Sequence, residues 1–260
     1  MIKKILTIAG SDCSGGAGIQ ADIKTITVHK MYAMSVVTAL TAQNTVGVKS
    51  ILEADSKFIE EQIDCIFEDI KPDAIKIGMV SNSDIISTIA KKLLKYNAKN
   101  IVIDPVMVAT SGGKLLNDDA IETLKDKLIP IGNVITPNIP EAEIISGIEI
   151  KNREDMIAAA KIIGDKIKGA VLIKGGHAVN DANDLLYDNG EYKWFNAKKI
   201  DTKNTHGTGC TLSSAIACNL ADGKNIKESV CDAKEYLHGA IKNDINLGKG
   251  SGPLNHIYKL

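Results

Sequence analysis

Residues 204–211, Asn204-Thr205-His206-Gly207-Thr208-Gly209-Cys210-Thr211, lead into a small, apolar stretch over 212–217. Glycines let the backbone turn so that successive N–H groups point one way. A helix starting there adds unpaired amides and the positive end of its dipole, which suits a phosphate or a developing oxyanion. Cys210 falls at that helix start, where a thiol's pKa is lowered because the surrounding donors favour the thiolate. It is placed to accept a proton from a hydroxyl or to act as a nucleophile. A glycine-rich turn with a buried cysteine explains the same residues, and the segment alone does not decide.

A second small-residue segment runs Gly10-Ser11-Asp12-Cys13-Ser14-Gly15-Gly16-Ala17-Gly18 and continues to Asp22. It lacks Gly-Lys-Ser/Thr, so it is neither a Walker loop nor a good dinucleotide fingerprint. Its small side chains would let a flat ligand approach the backbone from Gly10 onward, with Asp22 available to hydrogen-bond it. Tight backbone packing is the plain alternative. Asp104, set between Ile101-Val102-Ile103 and Pro105-Val106-Met107, should be part-buried and needs a partner. A magnesium ion or its water shell would supply one. Asn138 followed by Glu141 has the spacing of a helix cap, which does not exclude a role near the same ion. Lys174, after Val171-Leu172-Ile173, is placed either on the surface or within reach of a phosphate. His29, His177, His238 and His256 show no metal-ligand spacing, and His206 reads as a positioning residue rather than a base. No Gly-x-Ser-x-Gly elbow points to a hydrolase.

Positioning these groups requires a scaffold, and the apolar patterning predicts one. Short Val- and Ile-leaning runs at 4–9, 33–39, 74–77, 101–103, 133–135 and 170–173 are too short for helices. Several are separated by helix-period segments, such as Phe58, Ile59, Ile63, Ile66, Phe67 and Ile70, or Ile85, Ile86, Ile89, Leu93 and Leu94. Near-continuous apolar strands alternating with helices imply a mostly parallel sheet covered on both faces. Residues 184–200, with aromatic residues around Asn189-Gly190, predict an antiparallel hairpin. Two helices, about 207–221 and 224–243, close the chain. No linker or repeat divides it, so 1–260 reads as one three-layer α/β/α domain. Ligands of such sheets sit beyond the carboxyl ends of the strands. Gly10-Ser11-Asp12, Gln43-Asn44, Gly78-Met79, Asp104-Pro105, Pro137-Asn138 and Lys174-Gly175-Gly176 should therefore collect along one edge.

Bulk properties exclude other classes. The 31 basic and 32 acidic side chains leave a net charge of -1, giving no field to attract nucleic acid or an anionic membrane. No segment reaches the roughly 18–20 apolar residues that span a bilayer. The apolar start, residues 1–9, lacks a cleavage site and reads as a buried strand. Cysteines 13, 65, 210, 218 and 231 fit neither a metal spacing nor a disulfide framework, which suits a reducing cytoplasm.

Taken together, residues 9–22, Lys76-Ile77-Gly78-Met79 and residues 204–211 resemble the hydroxymethylpyrimidine/phosphomethylpyrimidine kinase family of thiamin biosynthesis, a branch of the ribokinase-like fold. Residues 136–142, Lys174-Gly175-Gly176-His177 and residues 248–253 agree in order, so the resemblance covers essentially the whole chain. It implies two successive phosphoryl transfers from ATP, first onto the hydroxymethyl group of the pyrimidine and then onto the monophosphate. It further implies that Gln43 meets the aminopyrimidine edge, Asp22 its polar atoms, and Met79 and Val106 its ring, beside Gly10. Asp104, Asn138 and Glu141 would order Mg2+ and the ATP phosphates, Lys174 would contact phosphate, and Thr205 would lie on the ATP side. Gly207, Thr208 and Gly209 would form the anion hole. Cys210 would stand where sugar kinases of the wider fold carry a catalytic aspartate. Cys13 departs from the Pro or Ser often found at its position. The resemblance also implies a homodimer. Pyridoxal kinase is the nearest alternative, followed by a non-catalytic pyrimidine or nucleotide sensor; a sugar kinase is disfavoured by the cysteine.

Overall fold

The computed structural model describes residues 1–107, 116–175, 183–196 and 200–260. Gly176, His177 and positions 197–199 of the expected hairpin lie outside the described residues. Among the described residues nine strands form one sheet: β1 (Lys4–Asp12), β2 (Tyr32–Asn44), β3 (Gly47–Glu53), β4 (Ala74–Ile77), β5 (Ile101–Ile103), β6 (Val134–Ile135), β7 (Ala170–Ile173), β8 (Asp184–Asp188) and β9 (Glu191–Phe195). Their spatial order is β3-β2-β1-β4-β5-β6-β7-β8-β9. From β2 to β7 every neighbouring pair is parallel, while β3, β8 and β9 add antiparallel edges.

Side chains on the strands alternate between two apolar layers, as the period of two demands. Leu6, Ile8, Ile75, Ile77, Ile101, Ile103 and Ile135 pack under one layer of helices. These helices are α2 (Ser56–Asp69), α3 (Ser83–Lys95), α4 (Asp118–Thr123), α5 (Ile139–Ser146) and α6 (Arg153–Gly164). Ile5, Ala74, Val102, Val134, Ala170 and Leu172 face α1 (Gly18–Val28), α7 (Thr208–Ala221) and α8 (Ile226–Lys242). The three-layer expectation holds. So does the hairpin, whose Asn189 and Gly190 both take the left-handed backbone that a tight two-residue turn requires. Strand β3 was not anticipated: Gly47–Glu53 buries neither face and has a mixed polar pattern, which hides an edge strand from a search for apolar runs.

Most helices begin with a side-chain cap. Asp55, Asn82, Asn117, Asn152 and Asn225 each accept from an amide of the first turn of α2, α3, α4, α6 and α8 respectively. Helices α1 and α7, whose glycine-rich starts pack together, lack such a cap: their N-caps are Ala17 and Gly207, the latter with φ 86°. No side chain takes the first amides of α7 at the sheet's carboxyl edge, although the Thr208 amide donates to the Thr205 carbonyl at 3.3 Å.

The C-terminal segment returns to brace α7. His256 is buried, its Nε2 lying 3.0 Å from Thr211 Oγ1, and its carbonyl accepts from Tyr236 Oη at 3.0 Å. Burial, aided by the charge of Lys24, pushes this imidazole down to about 4. The unfolded chain therefore binds the extra proton first, and stability is lost as pH falls from the ordinary histidine range towards 4. We expect this residue to cost about 2 kcal/mol between about pH 7.5 and pH 5. Urea midpoints at the two pH values check it, because His256→Gln should lose that part of the acid slope.

Candidate active site

The carboxyl ends of the parallel strands gather two groups of side chains on either side of the start of α7. On one side β1 ends at Asp12, whose carboxylate is buried. Its Oδ1 accepts from Ser14 N at 2.9 Å and Ser14 Oγ at 2.8 Å, and its Oδ2 from Ala17 N at 2.9 Å. His206 Nε2 donates to the same Oδ2 at 2.8 Å. Burial alone would raise this carboxyl, but the His206 and Ser14 hydrogen bonds and the backbone donors outweigh it and hold Asp12 well below the usual range. His206 also lies 3.4 Å from Gln43 Nε2. His206, expected as a positioning residue, thus latches the loop before α7 to the end of β1, with the Gln43 amide alongside. Asp12 was missed as a partner because nothing local in the sequence ties it to a residue so distant in the chain.

Both strands here carry register slips, between Ala9 and Ser11 in β1 and between Ala42 and Gln43 in β2. Such irregularities re-aim side chains near sites. Gln43 is part-buried, with Thr41 Oγ1 3.1 Å from its Oε1. Exposed Cys13 sits beside it, its sulfur 3.1 Å from the Gln43 carbonyl oxygen. Met79 packs where a Cβ on Gly10 would come within 2.7 Å of its terminal methyl, so Gly10 makes room for that side chain. Val106 is part-buried just beyond Asp104, to whose carbonyl its amide donates at 2.8 Å.

On the other side lie Asp104, Lys174 and Glu141. Asp104 is 2 % exposed and has the partner that burial demands: Lys174 Nζ donates to its Oδ1 at 2.6 Å, and Thr136 Oγ1 at 3.2 Å. Lys174 Nζ is also 4.0 Å from Glu141 Oε2. Burial by itself would lower the lysine's pKa, but Asp104 and Glu141 reverse this and raise it. Asn138 and Glu141 form a full capping box on α5, as their spacing predicts. Burial pushes the Glu141 carboxyl up to about 7, with Lys174 opposing and Asp104 adding to the rise. Among the described residues no three acidic, His or Cys side chains cluster as a metal cage. Two hard carboxylates do fit Mg2+, which characteristically takes one or two from the protein and the rest from phosphates and water.

The start of α7 joins the two groups. A Cβ on Gly209 would stand 2.9 Å from Asp104 Oδ2 and 3.5 Å from Lys174 Nζ, so glycine lets the helix start meet the ion pair. At Gly207 a Cβ would stand 2.0 Å from the Gly16 carbonyl oxygen, which packs the two glycine-rich loops together. Thr208 is part-buried in the first turn, and Thr205 is exposed with its Oγ1 3.3 Å from Ser251 Oγ in the C-terminal segment. Cys210 is part-buried in the first turn of α7, and the Gly18 amide at the start of α1 favours its thiolate.

Two expectations are corrected. The Cys210 thiol is not lowered: burial pushes it up to about 11, Lys76 pulls it down, and Asp22 and Asp104 push against the thiolate. The helix start does not overcome lost hydration and two nearby carboxylates. Asp22, expected to face a ligand, is 0 % exposed. Its oxygens accept from Thr7 Oγ1 at 2.6 Å, Lys76 Nζ at 2.9 Å and Ser214 Oγ at 2.8 Å. It is the interior counter-ion of Lys76, with no atom left for the cleft. A lysine inside the apolar strand Ala74-Ile75-Lys76-Ile77 was the sequence signal for such a partner, because a charge in that setting must be paired.

Comparison with known proteins finds relatives over nearly the whole chain. The family model described as phosphomethylpyrimidine kinase matches residues 12–255. The hydroxymethylpyrimidine/phosphomethylpyrimidine kinase of Bacillus subtilis is 43% identical over 98% of this chain and 95% of its own length. The thiamine biosynthesis bifunctional protein ThiED of Geobacter sulfurreducens is 46% identical over 97% of this chain, which spans only 52% of that longer relative. Among solved structures, the phosphomethylpyrimidine kinase of Clostridium difficile has a TM-score of 0.83 and 48% identity, covering 92% of this chain and 99% of that one. An ADP complex of Bacillus subtilis pyridoxal kinase has a TM-score of 0.91 and 40% identity, covering 98% of each chain.

Proposed function

The chain belongs to the phosphomethylpyrimidine kinase family, and from that membership and its cleft we propose that it phosphorylates 4-amino-5-hydroxymethyl-2-methylpyrimidine and then its monophosphate, using ATP. The observation that carries the reading is the uncapped start of α7 abutting the Asp104–Lys174 pair, with the Cys210 sulfur at the same turn. Open amides and a fixed cation meeting at one point are what a migrating phosphoryl group requires.

In this reading the pyrimidine lies beside Gly10, between Met79 and Val106. Its exocyclic amine and the adjacent ring nitrogen form a donor–acceptor edge that the Gln43 amide complements. ATP lies on the side of Asn138, Thr205 and Lys174. The hydroxymethyl oxygen attacks the γ-phosphorus; the new O–P bond forms as the bond to the bridging oxygen breaks, and ADP leaves with the electron pair. The acceptor's proton passes to the Cys210 thiolate. Amides of Gly207 and Gly209, joined by that of Thr208 once it leaves the Thr205 carbonyl, hold the charge on the transferring group, and Lys174 neutralises its oxygens. Asp104 and Glu141 would hold Mg2+, which supplies charge neutralisation at the phosphates when bound. The transition state of such transfers is loose, so positioning and charge outweigh proton removal, and a sulfur that ionises rarely is tolerated. The working unit is the single 1–260 domain as a cytoplasmic homodimer, for which the exposed cross-strand pair Leu40 and Leu52 on β2 and β3 offers an apolar face.

Pyridoxal is the second substrate to test, since a solved pyridoxal kinase shares the fold at a TM-score of 0.91. Mass spectrometry of products from ATP, Mg2+ and the hydroxymethylpyrimidine should show the monophosphate, then the diphosphate. A much larger kcat/KM for pyridoxal would reverse the substrate assignment.

A further inference from the structure

Lys76 and Asp22 are both 0 % exposed and form an ion pair that the transfer as described does not use. Replacing a buried ion pair with apolar residues is often neutral or stabilising, so such a pair is poorly explained by stability. Its surroundings point to the cleft. A Cβ on Gly78 would stand 2.6 Å from Lys76 Nζ, so the ammonium lies under the Gly78-Met79 turn at the carboxyl edge of the sheet. Asp22 Oδ1 accepts from Ser214 at 2.8 Å, and Ser214 is one helical turn after Cys210 on the same face of α7. Thr7 donates to Asp22 Oδ2 from β1. The pair therefore pins a charge of fixed position beneath the turn that carries the sulfur.

We infer that Lys76, clamped by Asp22, is a positioning residue for phosphoryl transfer: its ammonium is the fixed positive charge that offsets the negative charge of the Cys210 sulfur. Among the described residues, the charged groups acting on that sulfur include Lys76 from β4, Asp22 from α1, Asp104 beyond β5 and Lys174 beyond β7. Lys76 is the strongest influence favouring the thiolate, ahead of the opposing effect of Asp22, so removing both charges has a predictable sign. The Lys76-Ile77-Gly78-Met79 motif thereby gains a role beyond contact with the ring. This inference rests on the proposed placement of Cys210 at the acceptor alcohol.

Lys76→Met alone would strand the Asp22 carboxylate, so the test uses the neutral double variant Lys76→Met/Asp22→Asn. Its kcat should fall about tenfold while both KM values stay within about threefold, the pattern of an interaction made only in the transition state. Iodoacetamide labelling of Cys210 at pH 8, read by peptide mass spectrometry, should slow about three- to tenfold, since tenfold corresponds to one pKa unit. Ser214→Ala keeps both charges, and its Cys210 should label at the wild-type rate. If Ser214→Ala slows labelling as much as the double variant, or if the double variant fails to fold, the pair serves packing and the inference is overturned. Cys210→Ser, assayed in parallel, separates the two layers. Wild-type kcat in Cys210→Ser removes the role of the sulfur itself, whereas loss there with unchanged kinetics in the double variant removes only the role of Lys76.

Discussion

Cys210→Ala is expected to lower kcat for the first phosphorylation about 10²–10³-fold, within the range for loss of a positioned proton acceptor. The thiol stands at about 11 because burial and two carboxylates outweigh Lys76. At neutral pH only about one sulfur in 10⁴ is then the thiolate, and that fraction rises tenfold with each pH unit. Wild-type kcat should therefore climb from pH 7 to pH 9 wherever chemistry limits turnover, and the alanine variant should be flat. Cys210→Asp supplies a base that is ionised throughout this range, and should recover about tenfold over alanine without the slope. Its recovery is partial because the new carboxylate faces Asp104 and Asp22, whose charges already oppose the thiolate. Stopped-flow or quenched measurement of the first turnover gives these values directly. A flat wild-type profile alongside the alanine loss would show that the sulfur acts by position and hydrogen bonding instead.

The sheet was legible because its central strands are short apolar runs: 74–77, 101–103 and 170–173 coincide with β4, β5 and β7. Strands β1 and β2 run further than predicted, to Asp12 and Asn44, because polar residues at their ends still pair through register slips. The rule that ligands gather beyond strand ends brought Asp104, Asn138, Lys174, Gln43 and Met79 to one edge without any tertiary information. Burial depth was not legible. Asp22 sits in the interior face of α1 beside Thr25 and Ile26, and from sequence a carboxylate facing a ligand looks like one facing a lysine. The helix-start rule failed at Cys210 for the same reason: dipole and amides are local features, whereas the desolvation that overrides them depends on distant strands. Capping at Asn138 was readable because both partners lie within one turn.

Lys174→Met tests the other half of the cleft. Lys174 Nζ lies 2.6 Å from Asp104 Oδ1 and 4.0 Å from Glu141 Oε2, and in the proposed mechanism it is the cation that keeps two buried carboxylates compatible with an incoming polyphosphate. Removing it deletes one preorganised donor, which costs about 10²–10³-fold in kcat. It also leaves two acids facing the ATP phosphates, so kcat/KM for ATP should fall further, by about 10⁴-fold, of which raised Mg2+ restores a part. Stability falls as well, by about 3 kcal/mol, the lower end for breaking a buried pair because the site opens onto the cleft. The double variant Lys174→Met/Asp104→Asn separates the two effects. It should regain most of the lost stability, because no unpaired Asp104 charge remains, while staying as inactive as the single variant. Thermal unfolding and steady-state kinetics on the same preparations give both numbers. Recovery of activity together with stability would mean that the pair only holds β5 and β7 in place, since a group that neutralises the migrating phosphoryl cannot be replaced by the thioether and amide of that variant.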